Sequence, residues 1–454
     1  MINSNYKVIS GWNEIRKKNT KLIQPQNLVE LKKTISNLNQ NKIKFSLISG
    51  GCSYGEVFTS PNGVTIDLNF LNKIIKLNIK KNFIDVEAGV NFLQLNNYLL
   101  EKGFYIKSLP GTLNATIGGC INGNTHGKDS YLNGPFANNL ISAKILNLNG
   151  KISEYRNNKK NNNSLNNPIG SLGLKNIVIS AKIKVFKLKN SNLIINKKKF
   201  FSYEKLIQTF QNNKKKTDMM GAWIDHFDLH GRGVIHLGKF SNIKNKNEYK
   251  QIKIKKNYER ILRIFIYPIL RLLLNKIIIR FINKFYFFIH KKDKIIEQSF
   301  FETFYPLIDF IPNDKLIYKN GKVCIQIILS TKDIVKNLKN INNLCRKYDF
   351  QSWWCGMKMH KKYKGNFAFA EDGFDITIQF PFSYSKKKNF NVFLGKIYDF
   401  TQKKGGKVYL VQDNFLSNKI FKKMYPEYKK FKKEKNKVDK YNLLENYLYK
   451  RLIK

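Results

Sequence analysis

The spacing of apolar and polar residues changes several times along the chain. Over residues 28–40 apolar side chains recur at helical intervals and predict a helix. Residues 45–49 form a short apolar run entering Gly50-Gly51 and predict a strand. Residues 64–68 and 83–88 predict two more, each bounded by turn residues. Residues 92–102 return to the helical period and stop at Gly103, a residue type that readily closes helices. The stretch 111–134 is glycine-rich and fits neither period. Residues 140–147 and 177–185 predict strands flanking an Asn/Lys-rich loop at 151–167.

Glycine and proline thin out beyond about residue 190, which predicts a boundary there. Strands at 233–237, 322–329 and 375–380 then mix with long helices. Past 401 come one strand, 407–411, and a Lys-rich helical tail. No internal repeat is present. The expected organisation is α+β in three parts, 1–190, 191–400 and 401–454.

Residues 261–290 are strongly apolar but cut by Arg263, Arg271, Lys276, Arg280 and Lys284. No apolar run reaches the roughly 18–20 residues of a membrane span. Lys276, Arg280 and Lys284 recur every four residues and would form one basic stripe on a helix. Two readings stand: a helix packing its apolar face inward, or one lying on a membrane surface.

Composition narrows the class. The chain has 454 residues, 42% hydrophobic and 13% aromatic, enough for two or three domains with real cores. The net charge of +51 comes from lysine spread along the whole length, together with Asn and Ile. A nucleic-acid binder gathers its basic residues on one face or tail, so no nucleic-acid partner is expected. The charge would still attract anionic substrates or membranes. The five cysteines include no CxxC pair, so neither a disulfide framework nor a metal site is indicated. The first residues contain no apolar signal-peptide core, and a reducing cytoplasm is expected.

Two segments carry candidate chemistry. Ser49-Gly50-Gly51-Cys52-Ser53-Tyr54-Gly55 follows a predicted strand. Its glycines let backbone N–H groups converge on a phosphate, and Ser53 adds a hydroxyl. It is not GxGxxG, so a Rossmann site is not indicated. The second is Pro110-Gly111-Thr112, then Thr116-Ile117-Gly118-Gly119-Cys120-Ile121-Asn122-Gly123-Asn124-Thr125-His126-Gly127-Lys128. So polar a stretch builds no core; it suits a large polar ligand held through backbone groups. A tight turn and a surface loop are the plainer alternatives.

These segments resemble the FAD domain of the vanillyl-alcohol-oxidase, or PCMH, type of flavoprotein, and within it the branch of decaprenylphosphoryl-ribose 2-oxidases and sugar-lactone oxidases. The branch pattern is matched by Pro110-Gly111-Thr112, Thr116–Gly119 and His126–Asp129, more loosely by Gly134-Pro-Phe-Ala-Asn138 and Gly173-Leu-Lys-Asn-Ile177. The resemblance continues through Ala222-Trp-Ile-Asp225, Gly231-Arg-Gly-Val234, Phe304-Tyr-Pro-Leu307, Gln326, Lys358 and Gly373-Phe-Asp-Ile-Thr-Ile-Gln-Phe-Pro381. Gly405-Gly-Lys-Val-Tyr-Leu410, Met424-Tyr-Pro426 and Lys437-Val-Asp439 extend it to the C-terminal part.

The resemblance implies a two-part FAD domain, a substrate domain with an antiparallel sheet flanked by helices, and a C-terminal segment returning to their interface. It implies FAD-dependent oxidation of a sugar hydroxyl, with the sugar free or lipid-linked, in cell-envelope glycan synthesis. Gly50, Gly51, Cys52, Ser53 and Tyr54 would hold FAD together with Gly111, Thr112, Thr116, Ile117, Gly118, Gly119, Asn122, Gly123, Asn124 and His126. Ile177 and Tyr409 would lie near the ring. Tyr305, Gln326 and Lys358 would line the substrate side, Lys358 as an anion or hydroxyl contact. A partner reductase and a peripheral contact with the inner face of the membrane are further expectations.

Some members of this fold attach FAD through a histidine in the first glycine loop; residues 50–55 hold none, so non-covalent FAD is expected. Gln412 stands where the branch has a lysine, Thr377 where it has a cysteine, and Gln379 at an acidic position. Glutamine can hydrogen-bond an oxygen but supplies no positive charge. Two alternatives remain at this level: an aldonolactone oxidase or dehydrogenase, and a non-catalytic flavin-binding or basic interaction protein.

Overall fold

The computed structural model describes residues 4–156, 167–188, 190–242, 261–290, 293–305, 317–318 and 320–454. Most of the predicted loop at 151–167, and residues 306–307 of one motif, lie outside these residues.

The helix Leu28–Gln40 has the bounds its apolar spacing predicts. The Asn27 side chain accepts from Glu30 N, and the Glu30 carboxylate accepts from Gln26 N, so the first turn is capped from both sides. Leu31, Ile35 and Leu38 face inward. They cover a four-stranded mixed sheet of Ser4–Ser10, Lys17–Ile23, Val64–Asp67 and Ser46–Ile48, in that spatial order. A second sheet of five antiparallel strands runs Ile74–Asn78, Phe83–Glu87, Ile177–Lys184, Leu140–Leu146 and Ile152–Arg156.

The last of these strands corrects the expected loop at 151–167. Its first residues pair with Leu140–Leu146, and Tyr155 is buried in the core. The stretch 111–134 is also more regular than its sequence suggests. Ile117–Gly123 is a helix capped by Thr116, and Asn124 at φ 40° ends it. Glycines at 118, 119 and 123 hide the helical period because they offer no side chains to read.

Besides a two-stranded pair of Phe104–Tyr105 with Phe186–Lys187, the largest sheet has eight strands, all antiparallel. Its order is Lys294–Ser299, Asn192–Phe200, Gly233–Phe240, Met219–Ile224, Cys355–His360, Gly373–Pro381, Lys322–Ser330 and Lys407–Val408. Alternation divides the two faces. Val323, Ile325, Ile327, Ile376 and Ile378 share one core with the helices Tyr203–Asn213, Ile334–Lys347 and Phe390–Lys403. The other face is polar and still enclosed. The predicted strand 407–411 shortens to two residues because the chain turns, with Gln412 N donating to Tyr409 O.

The C-terminal segment crosses back to the first sheet. Phe45 N donates to Leu443 O and Glu445 N to Phe45 O. The Asn446 amide donates to Val57 O and Leu172 O. The Arg451 guanidinium reaches both Glu56 and Asp413.

Residues 261–289 form a π-helical turn, Leu262–Ile266, then helices Tyr267–Leu273 and Lys276–Ile289. Both readings of this segment find a face. Ile279, Asn283 and Phe287 are buried, with Phe287 packed on Trp223 and Val234. Outward, Leu272 is 82% exposed and Phe288 81%, and Phe281 and Phe285 are also exposed. The basic stripe is not wholly free, because Lys276 pairs with Asp349. Among the described residues no helix is long and apolar enough to cross a membrane.

Candidate functional site

One cavity of about 1060 Å³ lies between the glycine-rich segments and the polar face of the eight-stranded sheet. That is at the top of the roughly 300–1,000 Å³ usual for ligand pockets. Gly50, Gly51, Cys52, Ser53 and Tyr54 line it from the first segment. Gly111, Thr112, Thr116, Gly118, Gly119, Asn122, Gly123 and His126 line it from the second. The two segments are tied together: Ser49 Oγ donates to Thr116 Oγ1 at 2.7 Å. Gly50 makes the join possible, since a Cβ there would stand 2.2 Å from Asn114 O. At Gly111 a Cβ would meet no protein atom within 4 Å, so this part of the wall stays open.

Tyr305, Gln326, Lys358, Tyr409 and Gln412 line the opposite side. Tyr409 is buried; its hydroxyl donates to Gly123 O at 3.0 Å and its N–H to Gln326 O at 2.8 Å, joining sheet to glycine loop. Burial raises the pKa of the Tyr305 and Tyr409 phenols and keeps both protonated. Gln412 Oε1 accepts from Cys324 Sγ at 3.2 Å. Three expected residues are not in the cavity wall. Ile117 is packed in the core beside the five-stranded sheet, and Ile177 in the cluster below the helix Leu28–Gln40. The Asn124 side chain accepts from Ala137 N instead.

Sheet register decides what else meets there. Gln326 stands opposite Thr377, Lys358 opposite Asp375, and Gly356 opposite both Trp223 and Thr377. At the centre is Asp375, fully buried. Its Oδ1 accepts from Lys358 N at 2.8 Å, and its Oδ2 lies 3.3 Å from Lys358 Nζ and 3.2 Å from His360 Nε2. The Gln326 amide donates to the same carboxylate and to His126 Nε2 at 2.9 Å. Burial would raise the Asp375 pKa, but Lys358 and His360 outweigh it and hold the carboxyl well below 3.8. Burial, reinforced by Lys358 and His360, drives His126 well below 6.5 and leaves it neutral. His126 stacks on Phe369 at 5.2 Å and meets Tyr409 edge-on at 4.7 Å.

His126, His360 and Asp375 bring ligand-type atoms within 4.8 Å of one another, a grouping that could hold a metal ion. The Lys358 ammonium beside Asp375 already supplies the counter-charge, and a cation there would be repelled by it.

Asp375 sits inside the motif Gly373–Pro381 but was given no role there; the alternation Phe374-Asp375-Ile376-Thr377-Ile378-Gln379-Phe380 marks a strand with one apolar and one polar face. His360 and Phe369 lie in no quoted motif.

The cradle fits a flavin dinucleotide: it is long, glycine-walled at one end and aromatic with neutral donors near Tyr409. Residues 20–156 match the FAD binding domain family. A decaprenylphosphoryl-beta-D-ribose oxidase of Mycolicibacterium smegmatis is 23% identical over 86% of this chain and 85% of its own length. A mitochondrial D-lactate dehydrogenase [cytochrome] of Arabidopsis thaliana is 28% identical over 29% of this chain and 23% of its own. The L-gulonolactone oxidase of Bos taurus is 25% identical over 29% of each. Glycine segments, cavity and these similarities agree that the chain carries an FAD-binding domain and is an FAD-dependent oxidoreductase acting on CH–OH groups.

Proposed function

We propose that this oxidoreductase oxidises a hydroxyl of a sugar carried on a lipid phosphate, at the cytoplasmic face of a membrane, in cell-envelope glycan synthesis. The observation that carries the reading is the continuity of the large cavity. It runs from the glycine segments, past Lys358 and Gln326, to Tyr286 on the inner side of a helix whose outer side is exposed and apolar. The similarity to the ribose oxidase over most of both chains supports it. In this reading residues 1–190 hold FAD without a covalent bond, residues 191–400 present the substrate face, and residues 401–454 close the interface.

Bound FAD would supply the acceptor for a hydride taken from the sugar C–H bond. The glycine segments bind it, and Tyr409 fixes the loop at Gly123 against the sheet. Lys358 Nζ polarises the substrate hydroxyl oxygen, positioned by Asp375. Gln326 donates to His126 Nε2 and so holds its neutral ring in place, and the hydroxyl proton leaves to water as the hydride leaves the carbon. Gln412 donates a neutral hydrogen bond where the branch has a cation, so it contributes less to charge stabilisation.

The test is anaerobic mixing of the yellow protein with a polyprenylphosphoryl pentose, and separately with L-gulono-1,4-lactone. Bleaching of the flavin band by the first and not the second is expected. Bleaching by the lactone alone would move the enzyme to the lactone oxidases.

Membrane contact gives a second prediction. The exposed Phe281, Phe285 and Phe288, with Arg280 and Lys284 beside them, suit an anionic lipid surface. The protein should sediment with phosphatidylglycerol vesicles at low salt, and changing the three phenylalanines to serine should abolish this. Equal sedimentation of that variant would remove the helix from the contact.

A further inference from the structure

Resting on the sugar-oxidation reading, we infer that Lys128, Lys197, His236 and His290 form a subsite for a phosphate-ester anion, the group that carries the sugar. All four line the same cavity as the glycine segments. Register brings them together. Lys197 stands opposite His236, and His236 opposite Gly221. A Cβ at Gly221 would touch Lys128 Cγ at 3.7 Å, so the missing side chain leaves room for the lysine to lie over the sheet. Lys128 Nζ donates to Thr303 O at 2.7 Å, which anchors it without neutralising it. The His290 ring is held at its Nδ1 by Tyr286 O, 2.8 Å away.

Positive charge is in excess here. Lys294 pairs in register with Lys197, and Lys199 follows two residues along the same strand face. The nearby cavity-wall carboxylate, Glu302, is engaged by Ser299, whose N and Oγ both donate to its Oε2 at 2.8 Å. Burial, with Lys128, Lys197 and His290 adding, pushes His236 down to about 3. Burial, with Lys358 adding, pushes Lys128 down to about 7. A half-enclosed cluster of like charges is unfavourable alone and becomes favourable opposite a dianion.

Position selects the source of that anion. Tyr286 and His290 lie at the end of the helix Lys276–Ile289, whose outer face bears Phe281, Phe285 and Phe288. A phosphate held here leaves its sugar toward Lys358 and its hydrocarbon chain toward the apolar helix. Free inorganic phosphate would use the same cations but gain nothing from that helix.

The test is calorimetric titration of the FAD-loaded protein with farnesyl phosphate, farnesol and inorganic phosphate, for the wild type and for a Lys197→Gln/His236→Gln double variant. The flavin spectrum reports that each protein is folded and loaded. Farnesyl phosphate should bind the wild type at least about tenfold more tightly than farnesol or inorganic phosphate. The double variant should lose about tenfold for farnesyl phosphate and nothing for farnesol, the size expected for losing one or two charge-assisted hydrogen bonds. Equal binding of farnesyl phosphate by both proteins overturns the subsite. Inorganic phosphate binding as tightly as farnesyl phosphate overturns the lipid-linked source. Loss of binding to phosphatidylglycerol vesicles in the double variant would place these residues on the membrane surface and also overturn it. No turnover is needed, so failure here is read separately from failure of sugar oxidation.

Discussion

Asp375→Leu is expected to destabilise the protein by about 3–5 kcal/mol, the usual cost of removing one partner from a buried ion pair. It leaves Lys358 Nζ, His360 and the Gln326 amide facing a leucine where they now share one carboxylate. It should also slow flavin reduction by about 10²-fold, because displacement of Lys358 and Gln326 by an ångström misplaces the substrate. Asp375→Asn keeps an acceptor for Lys358 N and should fall between. Urea melts and anaerobic stopped-flow traces read the two effects. A leucine variant within about 0.5 kcal/mol of wild type would show that the carboxylate does not organise the site. The pH sign is fixed: a carboxyl held below 3.8 in the folded state adds stability above that value. That contribution is lost as pH falls through the folded pKa, and the leucine variant should lack it.

The second large effect is expected at Gly50. A methyl group there meets backbone, the Asn114 carbonyl oxygen at 2.2 Å, and backbone cannot swing aside as a side chain can. Gly50→Ala should therefore spread the two glycine segments, break the Ser49–Thr116 hydrogen bond, and weaken FAD binding by at least about 10²-fold, equivalent to roughly 2.8 kcal/mol. The protein should purify nearly colourless. Gly395→Ala, in the helix Phe390–Lys403 with no atom within 4 Å of the new methyl, is the control and should remain yellow. Wild-type flavin content in Gly50→Ala would show that the segments can separate without cost.

What could be read from sequence follows from how local each feature is. The helix Leu28–Gln40 and the glycine segments are contiguous, and their period or composition is visible in one stretch. The strands Ser4–Ser10 and Lys17–Ile23 were not predicted. They run along one side of their sheet, are rich in lysine and asparagine, and bury few residues, so apolar alternation is weak. The cluster around Asp375 is legible only in part. Lys358 and Gln326 emerged through resemblance, whereas His360 and Asp375 acquire meaning from register across three strands. The basic subsite was hidden in another way: in a chain with 82 Lys and Arg, Lys197 is indistinguishable from its neighbours until the fold turns it inward.

The returning C-terminal segment sets the order in which the protein can be completed during synthesis. Arg451 and Glu56 are 395 residues apart, and the cavity lacks Tyr409, Val411 and Gln412 until those residues have been made. At about 5–20 residues per second a ribosome needs roughly 20–80 s to cover that distance. Throughout it, Phe45 and the edge it offers have no Leu443–Leu444 to pair with. The nascent N-terminal part thus waits, half-assembled, until residues 409–451 have been made, and a chain stopped short of them exposes an unpaired edge that proteases and chaperones can recognise.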